Sequence, residues 1–122
     1  MIDAQTIAQR YIACWNEVDA ATRRQLVNAL WIEDAHYADP MMQAHGQDGI
    51  DALIGGVHAK FPGCRFELAG QAEGHGPHVR FSWSLIPNHG QPLARGTDFA
   101  ALAPDGRLAQ VTGFLDQPLG AA

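Results

Sequence analysis

Apolar side chains return every third or fourth position through the first half of the chain and every second position through the rest. Ile7, Tyr11, Cys14, Trp15 and Val18 fall on one side of a helix that Asp3 is placed to cap. A second helix is expected to open after Asp19, with Leu26, Val27, Leu30 and Trp31 on one face. The third is written most clearly. Ile50, Leu53, Ile54, Val57 and Phe61 keep helical spacing behind an Asp48 cap, and Pro62-Gly63 stops it. A short strand over 35–39 is expected between helices two and three.

The second half changes period. Phe66 and Leu68 alternate with Arg65 and Glu67, and Val79, Phe81, Trp83 and Leu85 alternate with Arg80, Ser82 and Ser84, so one sheet face is strongly apolar. Asn88-His89-Gly90 reads as a turn into a strand over 93–102, and Asp105-Gly106 as a hairpin turn into a last strand over 109–116. Helices followed by antiparallel strands predict an α+β domain with its helices on one face of the sheet. A strongly curved sheet incompletely filled by helices leaves a pocket. Nothing resembles a linker or a repeat. The reading is one domain over 1–117 with a loose tail over 118–122.

Composition narrows the function classes. The 122 residues suffice for one core, and 47% apolar against 17% charged is globular. A net charge of −5 without a basic run beyond Arg23-Arg24 argues against nucleic acid or anionic lipid as a partner. No apolar run approaches the ~20 residues of a membrane span. Cys14 and Cys64 are expected as free thiols, and the start of the chain has no secretory pattern, so a cytoplasmic setting is expected. The six histidines, His36, His45, His58, His75, His78 and His89, show no zinc-binding spacing, and no phosphate loop or serine-nucleophile signature occurs. No metal or cofactor is expected. His75 and His78 read as exposed hairpin residues, Cys14 as a small buried hydrophobe, and Gly55-Gly56 as a helical site of close packing.

Three polar side chains sit where the patterning predicts burial: Tyr11, Asp39 and Asp98. An ionised carboxylate in an apolar setting shifts its proton affinity or finds hydrogen bonds, so two such groups beside a phenol can make an acid–base site. Gly96 and Ala100 flank Asp98 on its strand face and are expected to leave room around it, with Val111 and Leu115 facing it from the last strand. Each residue also has a structural alternative. Tyr11 can be a core tyrosine, Asp39 can cap the turn at Pro40, and Asp98 can pair with Arg80 or Arg95.

QRYIACWN on the first helix, EDAHYADP ahead of the third, GTDFAAL on the penultimate strand and DGRLAQVTGFLD on the last carry a resemblance. The chain resembles the nuclear transport factor 2-like superfamily, and within it the SnoaL-like polyketide cyclase and ketosteroid isomerase-like group. That likeness implies a cone-shaped barrel of curved, mostly antiparallel sheet with about three helices enclosing an apolar pocket. It implies a small apolar substrate or ligand, no cofactor, and a homodimer formed by the outer sheet face around Thr112 and Phe114. In the isomerases, residues resembling Tyr11 and Asp98 donate hydrogen bonds to a developing enolate, and one resembling Asp39 shuttles the proton. In the cyclases a strand aspartate resembling Asp98 is the base. Trp15, Val57, Phe61, Phe81, Trp83, Val111 and Leu115 are the expected pocket walls, Trp31 is a further tryptophan that would narrow the pocket, and Gln43, His45 and His36 flank Asp39 near its mouth. The superfamily also includes pure binders, so a non-catalytic module for a small apolar ligand or a protein partner is the alternative.

Overall fold

The computed structural model describes residues 3–117. Helix α1 (Ala4–Asn16) starts at Asp3, whose carboxylate accepts from the Thr6 amide at 2.8 Å. It stops before Val18, which is 78% exposed and so lies off the apolar face assigned to it from spacing. The reason is a strap at the helix end. Asn16 exchanges two hydrogen bonds with the Phe66 backbone, at 2.9 and 2.7 Å, and fixes α1 to the sheet. Helix α2 (Ala20–Leu30) is capped by Asp19 through Thr22.

Trp31 does not extend α2. It opens strand β1 (Trp31–Ala38), which is longer than expected, and its indole is fully buried. A short strand that the spacing did not reveal, β2 (Gln43–His45), folds back on β1 with His36 opposite His45. Helix α3 (Gly46–Lys60) then begins before Asp48. His45 stands at the cap position without a side-chain bond, while Asp48 pairs with Arg24 on the surface. Four strands follow as the alternation predicts: β3 (Arg65–Leu68), β5 (His78–Ile86), β6 (Ala94–Leu102) and β7 (Leu108–Gln117). A minor strand β4 (Glu73–His75) pairs with β5, so His75 lies in a strand pair with His78. The tail expected over 118–122 lies outside the described residues.

The sheet runs β2-β1-β7-β6-β5-β3, with β4 beside β5, and among the described residues only the β1–β7 contact is parallel. It curls around the helices without closing, so the expected cone is an open one. Register sets the site: Phe81, Asp98 and Gly113 stand in one row across β5, β6 and β7, and Trp83, Gly96 and Leu115 in the next. Cross-strand partners share a face, so both rows point to the helices. Ile7, Val27, Ile50, Ile54 and Val111 fill the space between, each about fully buried and contributing on the order of 1.5–3 kcal/mol. Gly55 serves close packing as expected, because a Cβ there would come within 3.2 Å of the buried Arg23 guanidinium, which pairs with Asp51 at 2.8 Å. Cys14 and Cys64 are both free. Among the described residues no helix is long and apolar enough to cross a membrane.

Candidate active site

A cavity of about 570 Å³ opens between α1, α3 and the concave sheet face. Asp98 lies at its buried end, 2% exposed. The Tyr11 hydroxyl donates to Asp98 Oδ2 at 2.6 Å, and the Trp83 indole Nε1–H donates to Oδ1 at 3.1 Å. Among the described residues no cation contributes. Arg80 reaches Glu73 instead, and Arg95 lies on the opposite, exposed face of β6. Burial pushes the Asp98 carboxyl up to about 6; the Tyr11 and Trp83 hydrogen bonds oppose that, and the nearby Asp39 charge adds to it. Burial, and then the Asp98 charge, hold the Tyr11 phenol well above its ordinary value, so it remains a donor. Its ring is fixed edge-on against Phe81, centroids 4.8 Å apart.

Asp39 takes the turn position expected of it and also reaches the cavity. Its Oδ1 accepts from the backbone amides of Met41 and Met42, each at 2.8 Å, which caps the turn into β2. Its Oδ2 accepts from the Tyr37 hydroxyl at 2.6 Å, and the side chain lines the cavity. Gly113 makes room for both aspartates. A Cβ at that position would lie 2.8 Å from Asp98 Oδ1 and 3.2 Å from Asp39 Cβ, so the aspartates meet over a missing side chain.

The expected walls divide. Tyr11, Asp39, Asp98, Trp15, Val57, Phe61, Trp83 and Leu115 all line the cavity. Phe81 and Val111 face the same way but are absent from the lining, because Tyr11 covers the first and the second is sealed in the core at 0% exposure. Trp31 is likewise sealed behind Tyr11, so of the tryptophans only Trp15 and Trp83 narrow the cavity. Gln43 is at the rim, whereas His36 and His45 stack on each other away from it, centroids 4.3 Å apart. The room expected beside Asp98 at Gly96 is filled: the Trp83 indole lies across that glycine, which is how its N–H reaches the carboxylate.

Tyr37 and Gly113 are the members of the site that spacing left unmarked. Tyr37 is on β1 and Asp39 follows directly after its last residue, and a two-residue step in extended chain puts both on one face, so that signal was present. For Gly113 the only sign was a glycine inside a strand, whose partner across the ladder is invisible without the register. Among the described residues no three His, Cys, Asp or Glu side chains gather as a metal site.

A model of the SnoaL-like domain matches residues 8–111. The chain is similar to a provisionally named isomerase of the SnoaL-like family from Agrobacterium tumefaciens, with 51% identity over 93% of this chain and 97% of that one, and a TM-score of 0.91. More distant structures share the fold. A protein from Catenulispora acidiphila with a ketosteroid isomerase-like fold, bound to trimethylamine, is 14% identical over 91% of this chain and 85% of its own, with a TM-score of 0.73. A provisionally named SnoaL-like polyketide cyclase from Jannaschia is 15% identical over 95% and 90%, with a TM-score of 0.70. No functionally curated protein matches the sequence. With the fold, the register and the matched span in agreement, the chain belongs to the SnoaL-like family of the nuclear transport factor 2-like superfamily.

Proposed function

We propose that this protein is a cofactor-independent acid–base enzyme that moves a proton on an apolar carbonyl compound, in an isomerase-like or cyclase-like reaction. The observation that carries the reading is Asp98 itself: a carboxyl group buried at the end of an apolar cavity, held by two donors and no cation. Burying such a group costs stability, and a structural role does not require the cost. A value of about 6 leaves it largely ionised at neutral pH, close to the optimum for a general base. Lone-pair accounting points the same way. Asp98 accepts one bond on each oxygen and keeps a free lone pair on both, whereas Asp39 Oδ1 is fully occupied.

In this mechanism Asp98 removes the proton from the carbon next to the carbonyl. The C–H electron pair moves into the new C=C bond, and charge collects on the carbonyl oxygen. Once protonated, Asp98 releases the Tyr11 hydroxyl, whose one O–H turns to donate to that oxygen out of reach of bulk water. Return of the proton from Asp98 to a different carbon completes an isomerisation; alternatively the carbanion attacks a second carbonyl and closes a ring, and the alkoxide so formed takes the proton back from Asp98. Asp39, held by Tyr37, is the second acid–base group. Isomerisation of a small β,γ-unsaturated ketone, followed by ultraviolet absorbance, tests this. Wild-type turnover that falls about 10²–10⁴-fold in D98N supports it. Binding without turnover in the wild type would leave a binding module.

The outer sheet face favours a homodimer as part of the same reading. Phe114 is 58% exposed and Phe99 is 44% exposed there, a large apolar surface for a monomer to leave wet. Sedimentation equilibrium of wild type and F114K tests it, a wild-type monomer being the contrary result.

A further inference from the structure

Beside Leu53 and Val57, the wall formed by α3 carries a stripe of small side chains. Gly49, Ala52 and Gly56 line the cavity at helical spacing, and the next position on that stripe is Lys60. Gly56 has no packing reason to be glycine, since a Cβ there would meet nothing within 4 Å. Glycine inside a helix is unfavourable relative to alanine, so its value here is the open space it leaves in the cavity.

Lys60 ends that stripe, and it is the only lysine in the sequence. Five of the seven arginines pair with carboxylates: Arg23, Arg24, Arg65, Arg80 and Arg107. Arg10, Arg95 and Lys60 have no ion-pair partner among the described residues, and of these Lys60 alone lines the cavity. Its ammonium sits 5.9 Å from the Phe61 ring centroid, beside an apolar wall. Exposure grades the cavity. Asp98, Tyr11 and Tyr37 are buried, Asp39 is half-buried, and Gln43, Gly56 and Lys60 are exposed, so Asp98 lies at the inner end and the cation at the rim. A lysine in the last turn of a helix also suits the helix dipole, but that role asks for no cavity beneath it.

We infer that the substrate is an anionic carbonyl compound, with an apolar body along α3, its carbonyl inward at Asp98, and a carboxylate or equivalent single anionic group on Lys60. The inward carbonyl rests on the proton-transfer reading above; the anionic end rests on Lys60 and the α3 stripe. A cavity with two aspartates would repel an anion placed at random, so one cation at the opposite end also fixes orientation.

Isothermal titration calorimetry with β-naphthoylpropionate and its methyl ester tests this, since the two probes differ in the anionic group and share the ketone. The wild type should bind the acid about tenfold tighter than the ester, the scale of one charge-assisted hydrogen bond, and the preference should shrink with added salt. K60Q should bring the acid down to the ester's affinity, and K60R should restore the preference. Equal binding of the two probes by the wild type, or a preference that survives K60Q, would overturn the inference while leaving the proton-transfer reading intact. Failure of both probes to bind at millimolar concentration would overturn the two together. An acid preference in a protein without turnover would uphold Lys60 and overturn only the chemistry.

Discussion

Gly113 stands opposite Asp98 across the β6–β7 ladder, and the space of its absent side chain is where the Asp98 carboxylate sits. Asp39 approaches the same space from the β1–β2 turn. One glycine without an unusual backbone angle thus decides whether two acids can share a pocket.

Gly113→Ala should therefore destabilise the protein. In a strand, alanine at a backbone-compatible position usually stabilises slightly by restricting the unfolded chain. Here the added methyl would lie 2.8 Å from Asp98 Oδ1, too close for either group to stay in place. A loss of about 1–3 kcal/mol in urea denaturation is expected, the usual range for overpacking. A neutral or stabilising result would show that the carboxylate does not occupy that space.

Asp98 should leave a signature in the pH dependence of stability. Its folded-state value, about 6, is raised from 3.8, so the folded protein holds a proton that the unfolded chain releases between those values. Stability from this group is complete below the unfolded value and is lost as pH rises through the folded one, a change on the order of 3 kcal/mol. Asp98→Asn carries no such charge. Its stability relative to wild type should rise between about pH 4 and about pH 7, even if the lost hydrogen bonds lower it overall. A difference between the two proteins that stays flat with pH would mean that Asp98 is not buried as described.

The two tyrosines should separate in their effects. Tyr11→Phe removes a donor from Asp98 and from the developing oxyanion, and should cost about 10²-fold in kcat, as loss of one oxyanion donor does. It should also move the acidic limb of the rate profile to higher pH, because the hydrogen bond it removes opposes the upward shift of Asp98. Tyr37→Phe frees one oxygen of Asp39 and keeps the ring against Trp15, so a smaller loss with the limb in place is expected. Equal profiles for the two variants would contradict the division of roles.

Much of this was legible in the sequence because single-residue patterns carry it. The apolar spacing of α3 and the alternation through β5 gave those elements directly. Tyr11, Asp39 and Asp98 were marked by polarity where burial was expected, and the structure brings all three to one cavity. What stayed hidden depends on pairings between distant segments. Val18 fits the helical period of α1, but the Asn16–Phe66 strap ends the helix first. Trp31 fits the face of α2, yet its burial is the same at the head of a strand, so spacing alone could not place the boundary. The room at Asp98 is expected beside Gly96 and Ala100, but Trp83 fills the first and the second is sealed in the core; the register shows that Gly113 provides it.

The central claim is that Asp98 takes a proton from carbon, and proton exchange with solvent reads that step without knowledge of the natural product. A small enolisable ketone such as β-naphthoylpropionate, incubated with the protein in deuterated buffer near neutral pH, would be followed by NMR at the carbon next to its carbonyl. The wild type should speed the loss of that proton signal well above the buffer rate, and Asp98→Asn should lose about 10²-fold or more of the acceleration while remaining folded. Exchange at the buffer rate in the wild type when the ketone is bound, or undiminished exchange in a folded Asp98→Asn variant, would contradict the account.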